Sequence, residues 1–163
     1  MKYQAKPYNI TIMIDSDWAG EITNRRSTSG GLIMLGGHIL QHWSKLQSTI
    51  ALSSGEAELN ASVKGASEGI GVWELMQEWE DKVEVGLCLM TDSSAAKGTL
   101  SRRGSGKMKH LSTKQLWVQE AIRNYGIVVT KISRSINSSD LLTHQCNRPD
   151  FDNHLSRLHI IRM

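Results

Sequence analysis

Tyr8-Asn9-Ile10-Thr11-Ile12-Met13-Ile14 runs directly into Asp15-Ser16-Asp17. Ile10, Ile12 and Ile14 alternate with Thr11 and Met13, the two-residue period of a β-strand with one face on a core. Asp, Ser and Asp are turn formers. The strand is therefore expected to stop at Asp15 and leave a carboxylate at its end. Downstream, Gly30-Gly31-Leu32-Ile33-Met34-Leu35 reads as a second strand, and Gly36-Gly37 as a tight turn into a third around His38–Trp43. Strands this close in sequence predict an antiparallel meander.

The pattern then changes period. Ser53-Ser54-Gly55-Glu56 fits a capping box, a Ser followed three residues later by Glu. Beyond it Leu59, Val63, Ala66, Ile70 and Trp73 recur at helical spacing, predicting a helix to about Trp79. Ser62, Gly65 and Gly69 form a second line of small residues, suited to close approach against a sheet. Val85–Thr91 is apolar on both faces, as a buried central strand would be. Ala95–Leu100 reads as a short helix and Leu111–Tyr125 as a longer one stopped by Gly126. Ile127–Ile132 is the fifth strand. Ser133–Ser139 is a polar loop, and Asn137 is placed to cap a last helix beginning near Ser139. The order β-β-β-α-β-α-α-β-α predicts an α/β fold, a mixed sheet covered by helices. The tail from Cys146 shows no assignable pattern.

Bulk properties narrow the class. A chain of 163 residues with no repeat or linker is expected to form one domain, 1–163. With 39% hydrophobic and 21% charged residues it is neither disordered nor fibrous. No run of about 18 apolar residues is present, and the N-terminus has no apolar signal core. Cys88 and Cys146 make neither a disulfide framework nor a zinc knuckle. A reducing, intracellular setting without a membrane partner is the expectation.

Four acids stand at junctions or on the inner helix: Asp15 after the first strand, Glu58 one turn into the long helix, Asp92 after the fourth strand and Asp140 at the last helix. Each has a structural alternative. Asp15 suits a turn, Asp92 a helix cap, and Asp140 the positive end of a helix dipole. Strand ends at one sheet edge converge, however. Carboxylates gathered there repel unless divalent cations bridge them. No His or Cys cluster accompanies them, so the expected donors are all oxygen.

Asp15-Ser16-Asp17-Trp18-Ala19-Gly20, Arg26-Ser27-Thr28-Ser29-Gly30-Gly31 and Ala51-Leu52-Ser53-Ser54-Gly55-Glu56-Ala57-Glu58-Leu59 together resemble the ribonuclease H domain of copia-type retrotransposon polyproteins. So do Thr91-Asp92-Ser93-Ser94-Ala95-Ala96, Lys109-His110-Leu111 and Asn137-Ser138-Ser139-Asp140-Leu141-Leu142-Thr143. The likeness covers about residues 8–145 and leaves 146–163 without a counterpart. It implies a ribonuclease H-like fold, a five-stranded mixed sheet with helices on both faces. It also implies hydrolysis of the RNA strand of RNA–DNA hybrids with two Mg²⁺ or Mn²⁺ ions, and a reverse transcriptase in the same polyprotein as a partner. The family's acidic quartet falls on Asp15, Glu58, Asp92 and Asp140. Glu58 is preferred to Glu56 because Glu58-Leu59-Asn60-Ala61 matches the family pattern and Glu56 already serves the capping box. Asp17 is a neighbour of less defined role. Many ribonucleases H carry a His in the loop before the last Asp; here that loop holds Arg134 and no His. His144, after Asp140 and on the same turn face, is read as a surface histidine first and as a substitute for that loop His second.

Substrate contacts are expected in two places. Ser16 and Ser93 flank catalytic Asp positions and offer groups that could face 2′-hydroxyls; they equally suit turn and cap duties. Lys97, Arg102, Arg103, Lys107, Lys109 and Lys114 fall in one segment with His110 and no acid. That concentration hides behind a net charge of only +3 and is the footprint of a phosphate backbone. Arg102, Arg103, Lys107, Lys109 and His110 are the candidate nucleic-acid contacts. Trp117 suits either stacking on a sugar or a place in the core. The competing function is a non-catalytic ribonuclease H-like domain that binds nucleic acid or props a polymerase. Oligomeric state is not legible.

Overall fold

The computed structural model describes residues 9–79, 84–104 and 113–160. Five strands form one sheet: β1 (Asn9–Asp17), β2 (Thr28–Leu35), β3 (His38–Leu46), β4 (Gly86–Thr91) and β5 (Val128–Lys131), in the order β3-β2-β1-β4-β5. β1, β2 and β3 pair antiparallel, whereas β1–β4 and β4–β5 pair parallel. The sheet is therefore mixed, and the C-terminal ends of β1, β4 and β5 open on the same edge. Among the described residues four α-helices accompany it: α1 (Ser54–Trp79), α2 (Ser94–Leu100), α3 (Thr113–Asn124) and α4 (Arg148–Arg157).

Strand parity decides which layer each face meets. Ile10, Ile12 and Ile14 are fully buried and share a core with Leu59, Ala66 and Ile70 of α1 and with Val118 and Ala121 of α3. The opposite face presents Leu32 and Met34, which pack with Leu158 beyond α4 and with Met13, Leu141 and Leu142. Helical layers thus cover both faces. The small-residue line on α1 has the purpose its composition suggests. A Cβ on Gly65 would lie 2.5 Å from Ile14 Cγ2, and one on Gly69 would overlap Ile12. The helix rides directly on the central strand, which fixes where its first turns sit against the end of β1.

Three expectations change. β1 does not stop at Asp15: Asp15, Ser16 and Asp17 pair with Gly30, Ser29 and Thr28. Turn propensity yields here to the antiparallel ladder, which continues to the end of the meander, and Asp17 accepts a side-chain bond from the Thr28 N–H. Asp140 opens no long helix. Arg134–Ile136 and Ser138–Leu142 are two short 3₁₀ turns, and Asn137 makes no side-chain cap on the second. The unassigned tail contains α4, capped by Asn147, whose side chain accepts from the Asp150 N–H, with Pro149 in its first turn. Gly126 does stop α3 as expected, with φ +63° and the Ile127 N–H bonded to the Ile122 carbonyl.

Candidate metal-binding site

Glu58 is the best-defined side chain of the site. The α1 cap sets its position: Ser53 Oγ accepts from the Glu56 N–H at 3.2 Å, and Glu56 accepts from the Leu52 N–H at 2.8 Å. Glu56 is thus engaged at the helix entrance, and Glu58, two residues on and on the other side of the helix, projects toward the end of β1. There Glu58 Oε1 accepts both the Ser16 N–H, at 3.0 Å, and the Ser16 hydroxyl, at 3.1 Å. Its second oxygen, Oε2, is buried and has no hydrogen-bond partner among the described residues. Such an oxygen is costly unless something else satisfies it.

Carboxylate oxygens of Asp15, Glu58 and Asp92 all lie within 4.8 Å of one another. Burial pushes the Glu58 carboxyl up to about 8, with the charges of Asp15 and Asp92 adding to the rise and the Ser16 bonds opposing it. Burial likewise raises Asp15, opposed by its bond from Thr143 and reinforced by Asp92 and Asp140. Asp92 is also raised by burial, against the neighbouring positive charge of Arg134 and a bond from Asn137. Three acids that resist ionisation in one cleft fit a hard divalent cation.

Asp140 approaches from the other side, on the second 3₁₀ turn. Arg134 grips its Oδ1 through Nε at 3.2 Å and Nη2 at 3.0 Å. That turn is fastened to the sheet next to Asp15. Asn137, fully buried, donates to the Ile14 carbonyl at 3.0 Å and accepts from the Ser139 hydroxyl at 2.6 Å. Ser44 Oγ donates to the Leu142 carbonyl at 2.6 Å, and the Thr143 hydroxyl donates to Asp15 Oδ2. Gly30 permits this closeness, because a Cβ there would stand 2.7 Å from Thr143 Cγ2 and 3.0 Å from the Ser139 carbonyl oxygen.

Asp15, Glu58, Asp92 and Asp140 are therefore brought to one sheet edge. Ser16 is there too, with its hydroxyl on Glu58; Ser93 caps α2, accepting from the Ala96 N–H at 3.1 Å. Arg102 is half-buried and donates to Thr99 Oγ1 at 3.1 Å, and Arg103 is exposed. Lys107, Lys109 and His110 lie outside the described residues. Trp117 is 40% exposed on α3, which removes the core alternative. Sequence reasoning missed Thr143 and Asn137 as positioning groups and ranked His144 at the site below a plain surface position. Rather than facing only solvent, His144 Nε2 stands 3.7 Å from Asp15 Oδ2 and 4.0 Å from Asp140 Oδ1. The four-residue spacing of Asp140 and His144 carried that signal, since such pairs share a face of a helical turn.

No family model matches the chain. It is 30% identical over 138 residues to the retrovirus-related Pol polyprotein from transposon TNT 1-94 of Nicotiana tabacum, covering 85% of this chain and 10% of the polyprotein. The chain thus spans about a tenth of the length of that curated relative. Among solved structures, the ribonuclease H1 LC11 isolated from compost superposes with a TM-score of 0.63 at 19% identity, over 83% of this chain and 92% of LC11. LC11 in complex with an RNA/DNA hybrid gives 0.54 at 15% identity, over 82% and 93% of the two chains.

Proposed function

Because the chain is a homologue of copia-type retrotransposon Pol polyproteins and has the ribonuclease H fold, we propose that it is an endoribonuclease that hydrolyses the RNA strand of RNA–DNA hybrids. One observation carries the reading: carboxylate oxygens from β1, α1 and the end of β4 lie within 4.8 Å of one another, and Glu58 Oε2 is buried with no hydrogen-bond partner among the described residues. Asp15, Glu58, Asp92 and Asp140 are the proposed catalytic and metal-holding residues. Asp15, Glu58 and Asp92 would hold one divalent cation, and Asp15 with Asp140 a second; Mg²⁺ and Mn²⁺ are the ions such hard donors suit. Two ions bound between such carboxylates activate a water for attack on phosphorus and neutralise the departing 3′-oxygen.

The chain's own groups supply the positioning. Ser16 clamps Glu58 Oε1 and leaves Oε2 without a partner among the described residues. Thr143 holds one oxygen of Asp15. Arg134 pairs with Asp140 and offsets its charge. The Ser93 hydroxyl, which accepts from Ala96, keeps its own proton free to donate, so Ser93 beside Asp92 is proposed to face a 2′-hydroxyl. Arg103 and the basic residues that follow it are proposed to hold the phosphate backbone.

The proposed partners are the hybrid and, within a longer polyprotein, a reverse transcriptase. Among the described residues no helix is long and apolar enough to cross a membrane. The deciding experiment is incubation of the chain with end-labelled RNA–DNA hybrid, duplex RNA and duplex DNA, each with and without Mg²⁺. Cleavage of the hybrid's RNA strand alone, dependent on the ion, is expected. Absence of cleavage with both Mg²⁺ and Mn²⁺ would leave only a binding or scaffolding role.

A further inference from the structure

The donor set on the Asp140 side of the site is not purely oxygen. Asp15, Asp140 and His144 each offer one ligand atom, and all three atoms lie within 4.8 Å of one another. The imidazole Nε2 is 3.7 Å from Asp15 Oδ2 and 4.0 Å from Asp140 Oδ1. Donors around one ion at about 2.0–2.2 Å stand roughly 3 Å apart when adjacent and about 4.2 Å when opposite. The two separations from the imidazole, 3.7 and 4.0 Å, fall in that window.

The backbone is also braced. The His144 N–H bonds the Asp140 carbonyl at 3.0 Å, and Thr143, its neighbour, is tied to Asp15. The side chain of His144 is 35% exposed, so an ion has access to it from solvent. Arg134 meanwhile occupies Asp140 Oδ1 at 3.0 Å, and an arriving ion must compete with that guanidinium.

We propose that His144 is a nitrogen ligand of the second cation, held together with Asp15 and Asp140. The inference rests on the reading of this cleft as a metal-dependent nuclease site. It deepens that reading by making the two ion positions unequal. The position at Asp15, Glu58 and Asp92 is all oxygen and suits Mg²⁺. The position at Asp15, Asp140 and His144 includes an imidazole, which Mg²⁺ disfavours and transition-metal ions accept. The second position should therefore prefer Mn²⁺ to Mg²⁺.

The test uses the purified chain and the metal ions alone. Calorimetric titration with MnCl₂ should resolve two sites in the wild type. In His144→Ala the weaker or stronger of these should lose about tenfold or more in affinity, while MgCl₂ binding changes less than about twofold. Pulsed electron paramagnetic resonance of the Mn²⁺-loaded chain should show modulation from a directly bound imidazole nitrogen, absent in His144→Ala. Arg134→Ala should tighten Mn²⁺ binding by removing the competing cation. A wild type without nitrogen modulation, or with Mn²⁺ affinity unchanged by His144→Ala, overturns the proposal. Circular dichroism and melting of each variant identify any loss caused by misfolding, in which case the wild-type nitrogen signal decides alone. Hybrid cleavage is measured separately: a chain that cleaves hybrid without nitrogen ligation refutes the ligand and keeps the nuclease. One that shows the nitrogen ligation but never cleaves hybrid does the reverse.

Discussion

Glu58 meets Ser16 between a 26-residue helix and the central strand of the sheet, whereas Asp140 sits on a five-residue 3₁₀ turn with Thr143 and His144 just beyond it. On the helix side the geometry is over-determined. Gly65 and Gly69 seat α1 on Ile12 and Ile14, a cap fixes the helix start, and two bonds from Ser16 aim one carboxylate oxygen. Charge there is held against burial, and three carboxyls are pushed upward as a result. On the turn side the acid keeps more contact with solvent and already has a cation, Arg134, on it. A rigid, desolvated, all-oxygen half thus faces a more exposed half with mixed donors. Under the proposed function the first would hold its ion tightly and the second would exchange one.

Substitutions that remove charge from the two halves should separate them. Asp92→Asn keeps the shape of the rigid half and deletes a ligand; hybrid cleavage should fall by about a thousandfold or more. The melting temperature should hold or rise, because repulsion with Asp15 is relieved. Asp140→Asn should cost less activity, since the lost charge lies on the half that exchanges its ion and that Arg134 already neutralises. Single-turnover rates at saturating hybrid measure both. If Asp140→Asn is the more damaging of the two, the rigid half is not the principal one.

The next test stays within α1. Glu58→Gln should abolish Mg²⁺-dependent cleavage, while Glu56→Gln should retain it because glutamine still serves the cap. Glu56→Ala should cost stability by about 1 kcal/mol. Stability against pH carries the sign of the buried carboxyl. The Glu58 carboxyl holds its proton in the folded chain up to about 8, against 4.5 in the unfolded reference. Between those values the folded state binds more protons, so its contribution is complete below pH 4.5 and is lost as pH rises through about 8. In chelator, urea midpoints should therefore fall from pH 5 to pH 8. Glu58→Gln should flatten that slope and stabilise the metal-free chain at pH 8 by about 0.5–2 kcal/mol. A wild-type slope of the opposite sign would place the strain elsewhere.

What the sequence made legible divides along the same line. The helix stripe, the small-residue line and the five strands follow from periodicity, which burial enforces over many residues. Asp15, Glu58 and Asp92 were readable because each belongs to such an element or ends one. Asp15 itself was mistaken for a strand stop: local turn propensity is worth little against a ladder that pairs Asp15 with Gly30. The turn at 138–142 was mistaken for a helix, because five residues are too few to show a period. Its conformation is dictated by tertiary bonds from Asn137 to Ile14 and from Ser44 to Leu142, which no local pattern encodes. For the same reason His144 reads in sequence as a surface histidine first and as a site residue only second. Its partner Asp15 is distant in sequence, and only its four-residue spacing from Asp140 was visible.

Adding one methyl group to each half probes how each is fastened. Gly30→Ala places a Cβ against Thr143, Leu142 and the Ser139 carbonyl, and that carbonyl is backbone and cannot swing aside. The turn must lift, at a cost of about 1–3 kcal/mol. Cleavage should fall by about a hundredfold as Asp140 and Thr143 shift from Asp15. Gly71→Ala on α1 meets nothing within 4 Å. It should instead stabilise by up to about 1 kcal/mol and leave cleavage intact. Equal melting temperatures for the two variants would mean that the turn is not pressed onto β2.

The smallest effect is expected where the basic segment leaves α2, and there two neighbouring arginines should behave differently. Arg102 is half-buried with its guanidinium on Thr99, so Arg102→Gln should lower stability by about 1 kcal/mol through the lost bond. Its effect on hybrid binding should be slight. Arg103 is exposed and faces solvent at the surface, so Arg103→Gln should leave the melting temperature unchanged. If it touches a phosphate, KM for hybrid should rise about two- to fivefold, the size of one exposed charge contact. The log–log dependence of binding on salt should then flatten by roughly 0.7–0.9. Turnover at saturation should not change, because a phosphate contact is made equally in ground state and transition state. The salt slope is the sharper of these readouts, since a general loss of positive field alters KM without removing a counted contact. An Arg103→Gln variant with wild-type slope and wild-type KM would move the phosphate grip off this end of the segment.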